Sequence, residues 1–302
     1  MMRKFSFAKV LFFSAIGLFT TIGIAAIWKK GRAPAAEVAQ VAPQKMTVSS
    51  KPRDIQGDFP ECDRISQIFS TSGVRLPIVE TVTYTSHVNW LKGRPAWIAD
   101  YAVYYGTSRH FIARSLSGRA DYMTQRVSEG SKFNVFRKDK NFQFYLLADL
   151  SLCKMGFYYI DMDNSERVLL KTYRIGVGKP STAPSGSLTP LGKFALGDKI
   201  AVYAPGMTSQ YQNQNIEMVR VFGTRWLPFD KGYGIHGAPW HNDPATGELV
   251  ENRSTIGKQD SDGCIRLGTE DMEELFSIVI TRPTTVEIVK NFNQAQLPGV
   301  EK

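Results

Sequence analysis

From Asn141 to the C-terminus the chain is written in short apolar runs broken by turn residues, a pattern that admits a β-sheet protein and little else. Phe142, Phe144 and Leu146 alternate at period two, and residues 157–160, 168–177 and 284–289 are further runs of strand length. Residues 180–190 are punctuated by Pro, Gly, Ser and Thr, which marks a long turn. One helix interrupts the pattern. Thr269 reads as its cap, Glu270 and Asp271 fall in its first turn, and Met272, Leu275, Phe276 and Val279 form a buried stripe through to Ile280.

Residues 61–138 have a different texture. A strand at 81–84 is followed by Trp97, Tyr101, Tyr104 and Tyr105 at i, i+4, i+7 and i+8, which predicts a helix ended by Gly106. Phe111, Ile112, Ser115 and Leu116 predict a second helix, and 132–136 alternates as a strand. The result is a small α+β module in the order strand, helix, helix, strand. Trp90, Trp97 and Tyr105 read as core, since aromatics at helical spacing usually face inward. His87 and His110 lack acidic or cysteine partners at metal spacing and read as structural, so no metal is expected.

Residues 10–28 form an unbroken apolar or weakly polar stretch, flanked by Arg3, Lys4 and Lys9 on one side and Lys29, Lys30 and Arg32 on the other. The length approaches the ~20 residues of a spanning helix and exceeds the roughly 7–15 of a signal-peptide core. Residues 1–32 therefore read as an uncleaved transmembrane anchor on an exported protein. A signal cleaved near Ala25-Ala26 or Ala35-Ala36 is the alternative. Residues 33–60, rich in Ala, Pro, Val, Gln and Ser, read as a flexible tether, and 291–302 as a tail.

The net charge of +9 is largely local to that anchor. Six basic residues and no acidic one lie in 1–32, leaving 31 basic against 28 acidic in the remainder. A nucleic-acid partner needs a basic face in the folded part, and the sequence offers none. Three cysteines allow a Cys62–Cys153 disulfide in an oxidising compartment, which leaves Cys264 as a free thiol; alternatively Cys62 and Cys153 are buried small hydrophobes.

Cys264 stands in Ser261-Asp262-Gly263-Cys264-Ile265-Arg266, downstream of Tyr233-Gly234-Ile235-His236-Gly237. A thiol behind a glycine, an arginine two places on and an imidazole upstream are the parts of a cysteine acyl-transfer site. The thiolate attacks, the imidazole carries the proton, and N–H groups around Gly263 can hold an oxyanion. The helix from Thr269 begins just after Cys264, so its dipole favours the thiolate if it points that way. Ser261 reads as a support of the nucleophile turn, and Trp240 and His241 as neighbours of the site.

Three blocks carry a resemblance: Thr189-Pro190-Leu191-Gly192-Lys193-Phe194, then Gly234-Ile235-His236-Gly237, then Ser261-x-Gly263-Cys264-Ile265-Arg266-Leu267. In this order they resemble the L,D-transpeptidases of the YkuD type, over about residues 140–290. The resemblance implies a mainly β chain with a mixed β-sandwich catalytic domain at 139–290, with a short helix after the nucleophile. It makes Cys264 the acylated nucleophile and His236 the base, oriented by the Gly237 carbonyl. Arg266 positions substrate; Ser261, Asp262 and Trp240, read from their place beside these residues and not from the resemblance, are further substrate-side candidates. The implied substrate is the tetrapeptide stem of peptidoglycan. Its terminal D-alanine leaves, and the acyl group passes to an acceptor amine. No cofactor is implied, and carbapenems are the expected inhibitors. The 61–138 module weakly resembles a LysM glycan-binding module, which adds glycan strands as partners.

Two features depart from the family pattern. Asp262 stands where the family usually has histidine, and a carboxylate there raises the thiol pKa or selects a different acceptor amine. His236 and Cys264 are also further apart than usual, the excess falling in a polar surface loop at 241–252. The polar run 209–215 reads as a solvated loop, with a lid over the cleft as the alternative. Passing the acyl group to water, as an L,D-carboxypeptidase, and a non-catalytic wall-binding role are the competing functions; a sortase ranks below them for want of its local pattern.

Overall fold

The apolar periodicity is realised first in a small strand–helix–helix–strand unit. In the computed structural model, which describes residues 59–118, 126–211 and 213–302, helix α1 (Ser66–Phe69) precedes strand β1 (Val79–Thr83), helices α2 (Ile98–Tyr104) and α3 (Arg109–Ser117), and strand β2 (Lys132–Phe136). β1 and β2 pair antiparallel, with Val79 opposite Phe136. Ser108 starts α3 by accepting the Phe111 N–H on its hydroxyl. Tyr101, Ala102, Ile112, Phe133 and Val135 close a local core. Trp97, expected in that core, is instead 68% exposed. The helix begins one residue later than its spacing predicts, and the extended backbone at Trp97 turns the ring outward beneath the Arg94 guanidinium. Trp90 and Tyr105 are half-buried, with Trp90 stacked on Tyr104 at 4.3 Å between ring centroids.

Beyond this unit the chain is mainly β. Strands β3 (Phe142–Asp149), β4 (Lys154–Asp161) and β5 (Glu166–Arg174) form an antiparallel meander. β17 (Thr284–Val289) adds to β3 in parallel, β7 (Gly192–Ala195) adds antiparallel to β17, and β18 (Val300–Glu301) runs parallel to β5. A second sheet has the order β16 (Ile265–Leu267), β12 (Tyr233–Gly237), β11 (Arg225–Asp230), β8 (Ala201–Val202). β6 (Val177–Gly178) pairs in parallel with β15 (Gln259–Ser261). Helix α4 (Val219–Phe222) leads into β11, and α5 (Thr269–Val279) follows β16. Two stretches expected as loops are hairpins: β9 (Thr208–Tyr211) with β10 (Gln214–Glu217), and β13 (Trp240–Asn242) with β14 (Leu249–Glu251).

Alternation along β3 sends Phe142, Phe144, Leu146 and Ala148 into the core between the sheets. There they meet Leu227, Phe229, Ile235, Ile265 and Leu267, together with Met272, Leu275, Phe276 and Val279 of α5. The intervening Tyr145 and Leu147 face the other way, where Phe59, Tyr158, Ile160, Val289 and Phe292 cover them. Residues 291–302, expected as a tail, thus close the outer face of the sheet. The first core also takes in Ile65, Ile68, Phe111 and Phe136 from the small unit.

Two further expectations change. Gly268, not Thr269, is the cap residue of α5, and the Thr269 N–H donates to the Glu251 carboxylate at 2.6 Å. A carboxylate from β14 does the work expected of a threonine hydroxyl, aided by the helix dipole. Cys62, Cys153 and Cys264 are all free thiols, with no Cys62–Cys153 disulfide. The expected anchor at 1–32 and the tether up to residue 58 lie outside the described residues; among those described, no helix is long and apolar enough to cross a membrane.

Phe157 is fully buried at the centre of the shared core, with its ring 5.3 Å from that of Phe144. Phe157→Ala is expected to destabilise the protein by about 3–5 kcal/mol, read as a lowered urea midpoint.

Candidate active site

The parallel pairing of β12 with β16 assembles the site. Ile235 lies opposite Ile265 and His236 opposite Arg266. Partners in register share a face of a sheet, and alternate residues return to it. His236 and Arg266 therefore face the same way, and Cys264, two residues before Arg266, joins them. The sulfur's own contacts agree with that position. Cys264 Sγ lies 3.9 Å from the Gly232 carbonyl, and the Gly234 N–H, at the start of the His236 strand, favours its ionised form.

His236 is 3% exposed. Its Nδ1 is 2.7 Å from the Gly237 carbonyl. A carbonyl only accepts, so Nδ1 carries the hydrogen and Nε2 is left with its lone pair. The ring is walled by Phe222 at 5.3 Å edge-on and by Trp226 at 5.9 Å stacked, Trp226 being its register partner on β11. The tryptophan beside the imidazole is thus Trp226. Trp240, singled out from the sequence, begins β13 half-buried, and its Nε1 has no hydrogen-bond partner among the described residues.

The nucleophile turn is fastened from several sides. Gly263 has φ +117°, and a Cβ there would lie 2.5 Å from the Tyr233 ring and 2.9 Å from the Leu188 carbonyl, so only glycine fits. Ser261 is buried. Its hydroxyl donates to the Cys264 carbonyl at 2.6 Å and accepts the Gly263 N–H at 3.1 Å. Thr189, fully buried, donates to the Gly263 carbonyl at 2.9 Å and accepts the Gly178 N–H at 2.8 Å. The carbonyl it holds belongs to the peptide unit whose N–H is that of Cys264, so Thr189 sets the direction of that N–H. Asp262 points outward and pairs with Lys179 at 2.9 Å. Arg266 is half-buried, and its Nε has no hydrogen-bond partner among the described residues.

Burial dominates the electrostatics. It drops the His236 pKa to about 4, against the Gly237 and Phe222 carbonyls, which favour the protonated ring; the Arg266 charge lowers it further. Burial also raises the Cys264 thiol above its usual range, opposed by the Gly234 N–H and Arg266 and assisted by Asp262. At neutral pH the resting pair is therefore a neutral thiol and a neutral imidazole. The α5 dipole does not aid the sulfur. Its N-terminus lies beyond the whole of β16, roughly 10 Å of strand, and is occupied by Glu251.

Sequence reasoning missed Thr189 as a support, the Gly234 N–H as a group favouring the ionised sulfur, and Phe222 and Trp226 as the walls of the imidazole. Thr189 was legible in part, as a hydroxyl before a proline at the end of a long turn; the others depend on strand register. The two hairpins meet at α4, where Arg220 donates to Glu217 at 2.8 Å and to Asn242 at 2.7 Å. Among the described residues no group of three or more His, Cys, Asp or Glu is placed to hold a metal ion.

Thr189→Val leaves the Gly263 carbonyl and Gly178 N–H unpaired. The expected cost is about 1–3 kcal/mol of stability with slower Cys264 alkylation, and Thr189→Ser restores both. His236 in the unfolded chain gains its proton near pH 6.5, but in the folded chain only near pH 4. Between these values the unfolded state binds more protons, so stability falls on acidification by up to roughly 3 kcal/mol. Unfolding curves from pH 7 to 4 are expected to carry this loss in wild type and to lack it in His236→Asn.

Comparison with known proteins follows the same segment. Residues 143–288 match the family model YkuD, the L,D-transpeptidase catalytic domain. The chain is 36% identical over 112 residues to the putative L,D-transpeptidase YkuD of Bacillus licheniformis, covering 37% of this chain and 48% of that protein. It is 30% identical over 125 residues to the putative L,D-transpeptidase YqjB of Bacillus subtilis, covering 38% and 61%. The chain spans about half the length of the YkuD relatives it matches. Among solved structures, the helical cell shape determining protein Pgp2 from Campylobacter jejuni overlays with a TM-score of 0.33 at 18% identity, covering 49% of this chain and 48% of that one. The matched segment, 143–288, holds His236, Cys264 and Arg266, so the likeness to the L,D-transpeptidase catalytic domain takes in the whole candidate site.

Proposed function

We propose that the chain is a cysteine-dependent L,D-transpeptidase acting on peptidoglycan stems outside the cytoplasmic membrane. The observation that supports this most is the parallel β12–β16 pair. It sets Cys264, His236 and Arg266 on one face, with the imidazole locked by Gly237 in the tautomer a base requires. In this reading Cys264 attacks the carbonyl of the third residue of a tetrapeptide stem. As the C–S bond forms, the thiol proton passes to His236 Nε2, and the oxyanion is met by N–H groups of the Gly263–Cys264 turn. The C–N bond then breaks, the terminal D-alanine leaves with the proton from His236, and a thioester remains. An acceptor amine attacks it, gives its proton back through His236 to the sulfur, and frees the enzyme. Arg266, a cation beside both reacting groups, favours the thiolate and opposes an early imidazolium.

The apolar stretch at 10–28 supports anchoring in the membrane with the catalytic part exported. The strand–helix–helix–strand unit, with Trp90, Tyr104 and the exposed Trp97 at its surface, is the place for glycan contact. Carbapenems are expected to acylate Cys264.

Full-length protein incubated with disaccharide-tetrapeptide is expected to release D-alanine and form a cross-linked dimer, both detected by mass. Cys264→Ala abolishes both, and His236→Gln lowers the rate by about 10²–10⁴. Tripeptide without dimer would assign transfer to water instead. Neither product, with the thiol intact, sinks the proposal.

A further inference from the structure

We infer that Asp262 and Lys179 form an acceptor subsite, an exchangeable ion pair at the mouth of the nucleophile that selects a cationic primary amine as second substrate. This rests on the thioester reading above.

Lys179 is built into the nucleophile turn by its backbone. Its N–H donates to the Ser261 carbonyl at 2.8 Å, and its carbonyl accepts the Leu188 N–H at 2.9 Å. From there its side chain reaches Asp262 at 2.9 Å. Both side chains are solvated, at 52% and 85% exposure, so the pair contributes little to stability and opens at little cost. Lys179 is itself an alkylammonium. Its position shows that Asp262 takes such a group within two residues of Cys264. The Asp262 charge also reaches the sulfur, since it raises the thiol.

The charges around Cys264 are sorted by depth. Arg266 is set into the sheet, half-buried, while Asp262 stands at the surface. The imidazole is walled by Phe222 and Trp226, while Asp262, two residues before Cys264, is open to solvent and is the carboxylate of the nucleophile turn that an incoming cation can reach. A primary amine arrives at neutral pH as an ammonium ion. It exchanges with Lys179 on the carboxylate, which raises its concentration beside the thioester carbonyl. One proton is lost to solvent to give the free amine. The amine forms the C–N bond, the C–S bond breaks, and the second proton passes through His236 to the Cys264 sulfur. Acceptors without positive charge gain nothing from Asp262.

The test is a competition. Full-length protein receives disaccharide-tetrapeptide with an equimolar mixture of glycinamide, a cationic primary amine, and hydroxylamine, which is uncharged at pH 7. The ratio of the two stem adducts is read by mass, independently of how fast the thioester forms. Asp262→Asn is expected to lower the glycinamide share about fivefold, and Lys179→Met to raise it about threefold by removing the internal competitor. Opposite shifts from two neighbouring substitutions are not produced by a damaged turn. Adducts whose ratio ignores both substitutions overturn this inference alone. Wild-type protein that forms no adduct and no tripeptide overturns it together with the transpeptidase reading.

Discussion

The structure depends on one strand pairing. β12 and β16 lie side by side in parallel, although 26 residues separate Gly237 from Cys264. Parallel strands cannot be joined by a tight turn, and the usual crossover is a helix. Here the crossover is made of the β13–β14 hairpin, a short 3-10 turn at Arg253–Thr255 and β15. β16 is gripped from its other edge as well. The Arg266 N–H and carbonyl both bond to Gly176, each at 2.8 Å, and a side chain at Gly176 would collide with the Thr255 carbonyl at 2.4 Å. A strand of three residues is thus held on both sides, which fixes the direction of the residue before it, Cys264.

Desolvation, more than charge pairing, sets the state of the reacting groups. A thiolate–imidazolium pair needs surroundings that tolerate two charges. His236 is enclosed by aromatic rings, and the nearby guanidinium of Arg266 opposes a second positive charge. Arg266 acts in opposite senses on base and nucleophile, lowering the pKa of both. It therefore favours an ionised sulfur and disfavours a protonated ring. The raised thiol also lowers the thiolate fraction open to oxidants, since oxidation follows thiolate character.

Much of this was legible in the residues. Alternation at Phe142, Phe144 and Leu146 marked β3, and Met272, Leu275, Phe276 and Val279 marked the buried side of α5, because periodicity reports which side of an element faces the core. Caps and walls were not legible, since they come from elsewhere in the chain. Glu251 reaches the start of α5 only after the β13–β14 hairpin folds back, and Trp226 reaches His236 only through antiparallel register. Trp97 misled for a different reason. Helical spacing says which residues align, but a residue at the cap has extended backbone and leaves that alignment. The polar stretches at 209–215 and 241–252 lacked apolar alternation because both are solvated hairpins, held by backbone pairing and by polar side-chain bonds such as that of Arg220 to Asn242.

The small N-terminal unit bears on the site through packing. Ile65, Ile68, Phe111 and Phe136 belong to the same core as Phe144, Leu146 and Phe157, so the inner sheet face is completed by residues from both sides of position 138. Polar ties follow the same route. Lys171 on β5 meets Glu274 at 2.7 Å and Asp271 at 3.0 Å on α5, with Asp63 at 3.8 Å, and Ser108 donates to the Ser277 carbonyl at 2.8 Å. Helix α5 is therefore clamped between the sheet and the small unit, and it is joined directly to β16. Loosening the small unit frees one side of α5, and through Gly268 that freedom reaches Leu267, Arg266 and the nucleophile turn. The rigidity of the Cys264 turn is thus supplied in part by residues far from it.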